Sequence, residues 1–486
     1  MPSTTAALGT CLQKADTASS GAPNDIPLLL EQARCLCKLG ESWRARGAYL
    51  AVLSRDRYHC EAMLGLAELY IGSGEFAAAQ TILSEAVVRH STSVATHSTL
   101  GTVFLEQDDL AAAESAFMAA LQLNPLHRRA WCGLAVVFER KENTAAADLA
   151  WREAFREAGP ARSVYRGSNE PVRVLLLWSA VDGNVPLKPV LDDSIFQWLT
   201  FFVESYRENM TLPPHDVVLN AVGNPDLPTR ALRMAERIVR ASPSAVVNHP
   251  SRVQTTTRRE VSDRLRNIPG VVTPPMIAVP RNTLAACPEK LLEESGLRWP
   301  LLVRSLGFHT GKHFVMVHRP EDLRAAVAQL PGEELLVFAF VDTRRADGKF
   351  RKYRVMFVDG KLYPLHLAIS PEWMVHYFTA QMSSAEHRAE EAEFLADFRR
   401  VIGAPGVAAL EQVRDELGLD YGGIDFSLDE RGRVVMFEAN ATMIVRIPPG
   451  GPDWDYARPA AERIQEAVRD MLLDRARGAR EAATRP

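Results

Sequence analysis

Asp425 and Glu438 are the residues of this chain best suited to chemistry. Asp425 sits in GGIDFSLD, Glu438 in GRVVMFEAN, and LDERGR between them reads as a turn joining two strands. In such a hairpin the two carboxylates can face one another across the ladder. Glu438 and Asn440 have the same parity, so both point to one face. Three oxygen-bearing side chains on one face suit a hard cation, and Mg²⁺ with phosphate oxygens is the natural occupant, Mn²⁺ being a substitute. The neighbours Ile424, Phe426, Phe437 and Ala439 are apolar, which sets these acids apart from solvated surface charge. The plainer alternative is an ordinary hairpin carrying two surface acids.

Other reactive groups are less telling. The run DTRRADGKFRKYR (342–354) holds six basic residues and two aromatics, a composition that nucleic acid could use. A solvated hairpin tip with one phosphate-binding arginine is the preferred reading, and the net charge of −4 argues against a nucleic-acid coat. His309 and His313 have no metal partner at a suitable spacing and are read as lid or surface residues. The six cysteines (Cys11, Cys35, Cys37, Cys60, Cys132, Cys287) contain no C-x-x-C and no pairing pattern, so buried thiols in a reducing compartment are expected. No apolar run approaches the ~18 residues of a membrane span, and the N-terminus lacks a basic stretch followed by an apolar one. A cytoplasmic protein without membrane contact is expected.

The elements that must position these groups fall into two textures. Over residues 25–160 the same apolar slots recur about every 34 residues. Ala33, Leu66, Leu100 and Leu134 fill one, and Arg34, Ala67, Gly101 and Ala135 the next. Ala79, Ala113 and Ala147 recur later, followed by Leu50, Leu83, Phe117 and Trp151. Small residues at fixed places let paired helices approach, and larger ones fill the gaps. From Val172 onward the pattern changes to short strands: VRVLLLW, HDVVLNA and SAVVN, with a helical stretch between the last two, suggest a parallel sheet. Longer strands follow at closer spacing through WPLLVRSLG, ELLVFAFVD, KYRVMFVDGKLYPLHLAI and the acidic hairpin, in a largely antiparallel region.

The repeats resemble tetratricopeptide repeats. Arg34 and Arg46 stand where that family keeps small residues, so the first unit reads as a cap. The resemblance implies a superhelix whose concave face takes a peptide or protein, or serves self-association. D-F-x-x-D-x-x-G-x-x-x-x-F-E-x-N resembles the metal-binding end of the ATP-grasp fold, with glutathione synthetases and D-alanine–D-alanine ligases as the nearest likeness. The expected architecture is multidomain: an all-α tetratricopeptide-repeat superhelix, then an α/β (α+β) ATP-grasp fold with its preceding parallel-sheet domain. The expected boundaries are a tail at 1–24, repeats at 25–160, a linker at 161–171, the parallel-sheet domain at 172–285, the ATP-grasp domain at 286–476 and a tail at 477–486.

The resemblance carries site residues with it. Eleven residues after Asn248 the family has a phosphate-binding lysine, which falls on Arg259, and its second nucleotide lysine falls on Arg304. Arginine keeps the charge and can bind phosphate bidentately. Gly311 matches a glycine of the loop over the triphosphate, and Lys312 could supply an amine from that loop. Phe338 and Phe340 match the hinge that meets the adenine, Asp342 is the candidate ribose contact, and Ala339 replaces the family's hinge acid. Arg354 matches an arginine near the transferred phosphate, and Asp425, Glu438 and Asn440 match the metal ligands. The segment 371–397 departs from the family, so the substrate does not transfer; His366, Trp373, His376, Tyr377 and Arg446 are candidates for the acceptor pocket. The implied reaction is ATP-dependent joining of a carboxylate to an amine through an acylphosphate, catalysed chiefly by Arg304 and Arg354. Phosphoryl transfer on the same fold, or a nucleotide-sensing scaffold, stays open. The relatives are often oligomeric, so a homo-oligomer is among the expectations.

Overall fold

The computed structural model describes residues 25–483, apart from 157–158, 182, 209, 227–229, 287–291, 293, 307–312, 378–379, 449–450 and 452, with side chains through Gly478. The expected tail at 1–24 lies outside the described residues. The chain divides into two compact units, Met1–Gly159 and Pro160–Pro486. No helix among the described residues is long and apolar enough to cross a membrane.

The first unit is built of helix pairs: α1 (Ile26–Leu39), α2 (Ser42–Leu53), α3 (Cys60–Ser73), α4 (Phe76–Arg89), α5 (Val94–Glu106), α6 (Leu110–Leu123), α7 (Arg128–Arg140) and α8 (Thr144–Ala154). Side-chain caps start several of them, as where Asp109 accepts from Ala112 N and Asn143 from Ala146 N. The small slot is real, but the first unit fills it with Ala33, one 34-residue period before Ala67, and not with Arg34. Ala33, Ala67 and Ala135 are fully buried there, and Ala45 joins Ala79, Ala113 and Ala147 in the second small slot. Tyr49 is 5% exposed whereas Leu50 is 47% exposed, so Tyr49 is the counterpart of Leu83, Phe117 and Trp151. Arg34 and Arg46 therefore occupy no small slot, and the first unit obeys the period.

Large and absent side chains are matched across the helices. A Cβ on Gly133 would lie 2.3 Å from Phe117, and one on Gly101 2.7 Å from the same ring. The pair Tyr49 and Gly65 repeats the arrangement, also at 2.3 Å. Close-packed interiors leave no slack for an added methyl at such contacts. Of the thiols, Cys35 is buried as expected, Cys37 is exposed, and Cys60 and Cys132 are half-buried. Cys11 and Cys287 lie outside the described residues.

The second unit holds three sheets among the described residues. The first, in the order β1-β3-β2-β4-β5, joins β1 (Ala161–Arg162), β2 (Val172–Trp178), β3 (Phe196–Phe202), β4 (Val217–Asn220) and β5 (Ala245–Val247). Strands β2 to β5 are parallel, and β1 pairs antiparallel with β3. The segment 161–171 thus begins with a paired strand rather than a bare linker. Helix α9 (Arg230–Ala241) crosses between β4 and β5, and α10 (Pro250–Gln254) and α11 (Arg258–Leu265) follow.

The second sheet, β7-β10-β8-β9, joins β7 (Met276–Pro280), β8 (Leu301–Ser305), β9 (Phe314–Val317) and β10 (Glu334–Ala339), with α12 (Arg281–Ala286) and α13 (Pro320–Gln329) beside it. The third, β12-β11-β13-β14-β6, takes β6 (Val271–Val272), β11 (Phe350–Val358), β12 (Lys361–Ser370), β13 (Tyr421–Leu428) and β14 (Val434–Asn440). By strand pairing, residues from Val271 onward go with these later sheets, ahead of the boundary expected at 285. Helices α14 (Ala385–Ala396) and α15 (Phe398–Leu417) follow β12. The last helix, α16 (Arg458–Ala483), runs through most of the expected C-terminal tail. Ile464, Val468 and Leu472 bury it in one core with Val174, Leu219, Met356 and Tyr421.

Candidate active site

One row crosses the third sheet. His366 on β12, Arg354 on β11, Asp425 on β13 and Glu438 on β14 are successive register partners. Directly opposed residues share a face, so the expected meeting of Asp425 and Glu438 is present in the ladder. The ladder shifts register right after Arg354 and again right after Asp425. Such bulges re-aim side chains and locally strengthen the twist; here both flank the row.

Asp425 is buried and receives the Arg354 guanidinium two-fold, at 2.5 Å from Nε and 2.8 Å from Nη2. Lys352 Nζ lies 3.2 Å from the same carboxylate. Burial alone would raise the Asp425 carboxyl, but Arg354 and Lys352 outweigh it and hold it far below the usual carboxylate range. Glu438 accepts from Arg258 Nη2 at 2.8 Å and from Asn440 Nδ2 at 2.9 Å. The Asn440 oxygen is turned away, accepting from the Thr442 N–H and hydroxyl at 2.9 and 2.8 Å. Among the described residues no three His, Cys, Asp or Glu groups are arranged to hold a metal. Asp425 and Glu438 are the carboxylates that line the cavity among the described residues. Mg²⁺ is ordinarily held by one or two carboxylates plus substrate phosphates and water, so this donor set fits it.

These acids line a cavity between the second and third sheets. Arg304 lines it, buried, with its guanidinium 5.3 Å from the Phe314 ring centroid. Burial first, then the nearby Arg258, pushes Arg304 down to about 10, against the opposing pull of Glu438 and Asp226. Phe314, Phe338 and Phe340 add aromatic surface to the same lining. Ala339 N donates to Pro275 O at 2.9 Å and Phe340 N to Pro300 O at 3.3 Å, fixing the end of β10.

Several expected residues are elsewhere. Arg259 is exposed and does not line the cavity; Arg258, ten residues after Asn248, does. Both begin α11, where successive side chains diverge by about 100°, so only one can face inward. Asp342 is exposed and held by Arg344, which keeps its carboxyl low, while its neighbours Val341 and Thr343 line the cavity. Arg446 is exposed and away from the lining. Gly311 and Lys312 lie outside the described residues, as does His309. Trp373 and His376 line the cavity, Trp373 meeting Phe314 edge-on at 5.1 Å. Burial first, then Lys352, lowers His376, so its neutral form is favoured. His366 and Tyr377 pack on each other with centroids 4.6 Å apart, beside the cavity rather than in its lining. Sequence reasoning missed Arg258, Lys352 and Thr343. Lys352 was legible from parity, two residues before Arg354 on the same strand.

A tetratricopeptide-repeat family model matches residues 98–162. Among solved structures, MamA from Desulfovibrio magneticus RS-1 is 18% identical over 31% of this chain and 84% of that one, with a TM-score of 0.29. A thermophilic tetratricopeptide-repeat protein of Thermus thermophilus is 21% identical over 30% of this chain and 81% of that one, with a TM-score of 0.28. The VanG D-Ala:D-Ser ligase of Enterococcus faecalis is 12% identical over 63% of this chain and 100% of that one, with a TM-score of 0.41. No curated protein sequence matches the chain. The protein thus carries tetratricopeptide repeats, modules that generally mediate protein–protein interaction, followed by a mixed α/β unit.

Proposed function

We propose that residues 160–486 form an ATP-grasp-type ligase that joins a carboxylate to an amine, and that the repeats recruit a peptide or protein substrate. The observation that carries this reading is the opposed pair Asp425 and Glu438, which lines one cavity together with Arg258, Arg304 and Lys352 and with the rings of Phe314, Phe338 and Phe340, while Arg354 is bound to Asp425 beside that lining. A polyanion with an apolar ring matches that combination of charge and apolar surface. Bound MgATP would supply the phosphoryl group and neutralise charge on it. Asp425 and Glu438 would hold the metal. Arg258 and Arg304 would bind phosphate oxygens, and Arg354 with Lys352 would steady the substrate carboxylate and the acylphosphate made from it. Positioning and electrostatic stabilisation suffice for such chemistry, with no covalent nucleophile on the protein. The aromatic wall at Trp373 and the neutral His376 would border the incoming amine.

The test is isothermal titration with MgATP, followed by ADP release against panels of carboxylates and amines and mass analysis of the product. An amide supports the ligase; a phosphate ester makes the unit a phosphotransferase instead. Absence of MgATP binding overturns both. Removing residues 1–159 should leave MgATP binding in place and raise KM for the natural substrate, the mark of lost uniform binding.

A further inference from the structure

Glu391 is fully buried on α14, outside the cavity, and its carboxylate gathers three separate segments. Leu367 N donates to Oε1 at 3.2 Å, Tyr377 Oη to Oε2 at 3.3 Å and Tyr456 Oη to Oε2 at 2.5 Å. Each donor has a reason to be there. Strand β12 is an edge of its sheet, so an outward N–H such as that of Leu367 needs an acceptor beyond the ladder. Tyr377 ends the segment that carries Trp373 and His376 into the cavity, and its ring packs on His366, the outer member of the Asp425 row. Tyr456 lies just before α16. One acid therefore ties the aromatic wall, the sheet edge and the approach to the last helix.

We propose that Glu391 is a positioning residue: its carboxyl fastens Tyr377 and so holds the Trp373–His376 wall of the cavity in place, and the cost of keeping a charge buried there loosens that wall as the carboxyl ionises. Burial is the main cause that raises its carboxyl, to about 7, against the hydrogen bonds from Tyr456, Leu367 and Tyr377. The titratable groups facing it are Tyr377 and Tyr456, both pushed above their ordinary range, with His366 behind Tyr377 pushed well below its own. Arg388, on the same helix, acts on Tyr456; His387 and Glu390 turn instead to Lys349 and Arg351. Glu391 is thus the member of the cluster that titrates near neutrality. If opening of the wall returns the carboxyl to an ordinary environment, linkage makes opening easier as pH rises through 7.

The effect on turnover rests on the ligase reading above; the hold on the wall does not. Hydrogen–deuterium exchange of the full chain, corrected for intrinsic rates, reads the wall directly at the amides of residues 372–377. Between pH 6 and pH 8 their protection should fall about 10-fold in the parent, following the two-state linkage of one carboxyl. Glu391→Gln, a neutral isostere, should keep them protected at both pH values. Tyr456→Phe removes a single hydroxyl and should loosen them by ~3-fold or more, with the β13–β14 hairpin unchanged. Equal pH response in parent and Glu391→Gln would overturn the proposal. So would loosening spread evenly over the whole unit, since Glu391 would then be only part of the core. Failure of the parent to bind MgATP would sink the ligase reading and leave the exchange result standing.

Discussion

Asn248 hydrogen-bonds both backbone groups of Tyr421: Oδ1 accepts from the Tyr421 N–H at 2.8 Å, and Nδ2 donates to its carbonyl at 2.7 Å. The side chain thereby extends the sheet by one position at the first residue of β13, four residues before Asp425. Its own backbone has φ 57°, a conformation asparagine tolerates better than most residues. Asn248→Ala should cost about 2–4 kcal/mol, since it leaves two buried backbone groups unsatisfied. Asn248→Gly should relieve the backbone strain and still lose the clamp. Thermal denaturation should therefore order the parent first, then glycine, then alanine.

The two acids of the row should respond differently to neutralisation. Asp425→Asn leaves Arg354 and Lys352 without their carboxylate in a buried site, a loss on the order of 3 kcal/mol. Glu438→Gln, at a partly exposed position, should leave stability within about 1 kcal/mol. Both should lower ADP formation at least ~100-fold if they hold the metal. Differential scanning calorimetry and a coupled ADP assay on the two variants separate the effects.

Arg258 and Arg259 offer a neighbouring pair with opposite outcomes. Arg258→Ala should weaken MgATP binding by ~10-fold or more, because a charge-assisted phosphate contact and the partner of Glu438 are lost together. Arg259→Ala should change it less than ~2-fold, as expected of an exposed charge. Titration calorimetry on the two variants decides between them, and the reverse order would return Arg259 to the site.

Glu391 also sets a slope in global stability. Its folded-state carboxyl is raised to about 7, so the stability it contributes is complete below the unfolded value and is lost as pH rises through 7. Glu391→Gln lacks that loss. The Tm of the variant relative to the parent should climb from pH 4.5 to 7 and level off above, measured by circular dichroism.

Within the repeats, Gly133→Ala should cost about 1–3 kcal/mol by driving a methyl into the Phe117 ring. Gly47→Ala, on α2 where nothing stands near the added carbon, should be neutral or stabilising. Urea denaturation followed by far-ultraviolet circular dichroism compares the two.

Much of this was readable where one periodic rule governs. The hairpin carrying Asp425 and Glu438 was legible from its short turn and the acids on its two arms, but the bulge after Asp425 completes their opposition: counted from Leu428 and Val434, Asp425 would face Phe437. The 34-residue period exposed the helix pairs, and in the first of them the slots fall one residue before Arg34 and Leu50, at Ala33 and Tyr49. Positions fixed by counting along an analogy were less secure: one residue on a helix exchanges Arg258 for Arg259. Strand β3 (FQWLTFF) escaped notice because it has no polar–apolar alternation: it lies between parallel β2 and antiparallel β1 and buries residues on both faces. Glu391 was one acid among many in HRAEEAEF. Its partners are 14, 24 and 65 residues distant, and nothing local distinguishes it.

Arg258, Arg304, Arg351 and Lys352 outnumber Asp425 and Glu438 in the lining of the cavity. A pocket biased in this way attracts small anions of every kind, and its attraction fades as ionic strength rises. Buffer choice then becomes an experimental variable: orthophosphate, pyrophosphate or citrate would occupy the same guanidinium groups and compete with any natural ligand. Titrations run in phosphate should give weaker apparent affinities than those in an amine buffer of equal ionic strength. The same anions should protect the protein against heat in proportion to the logarithm of their concentration once above their Kd.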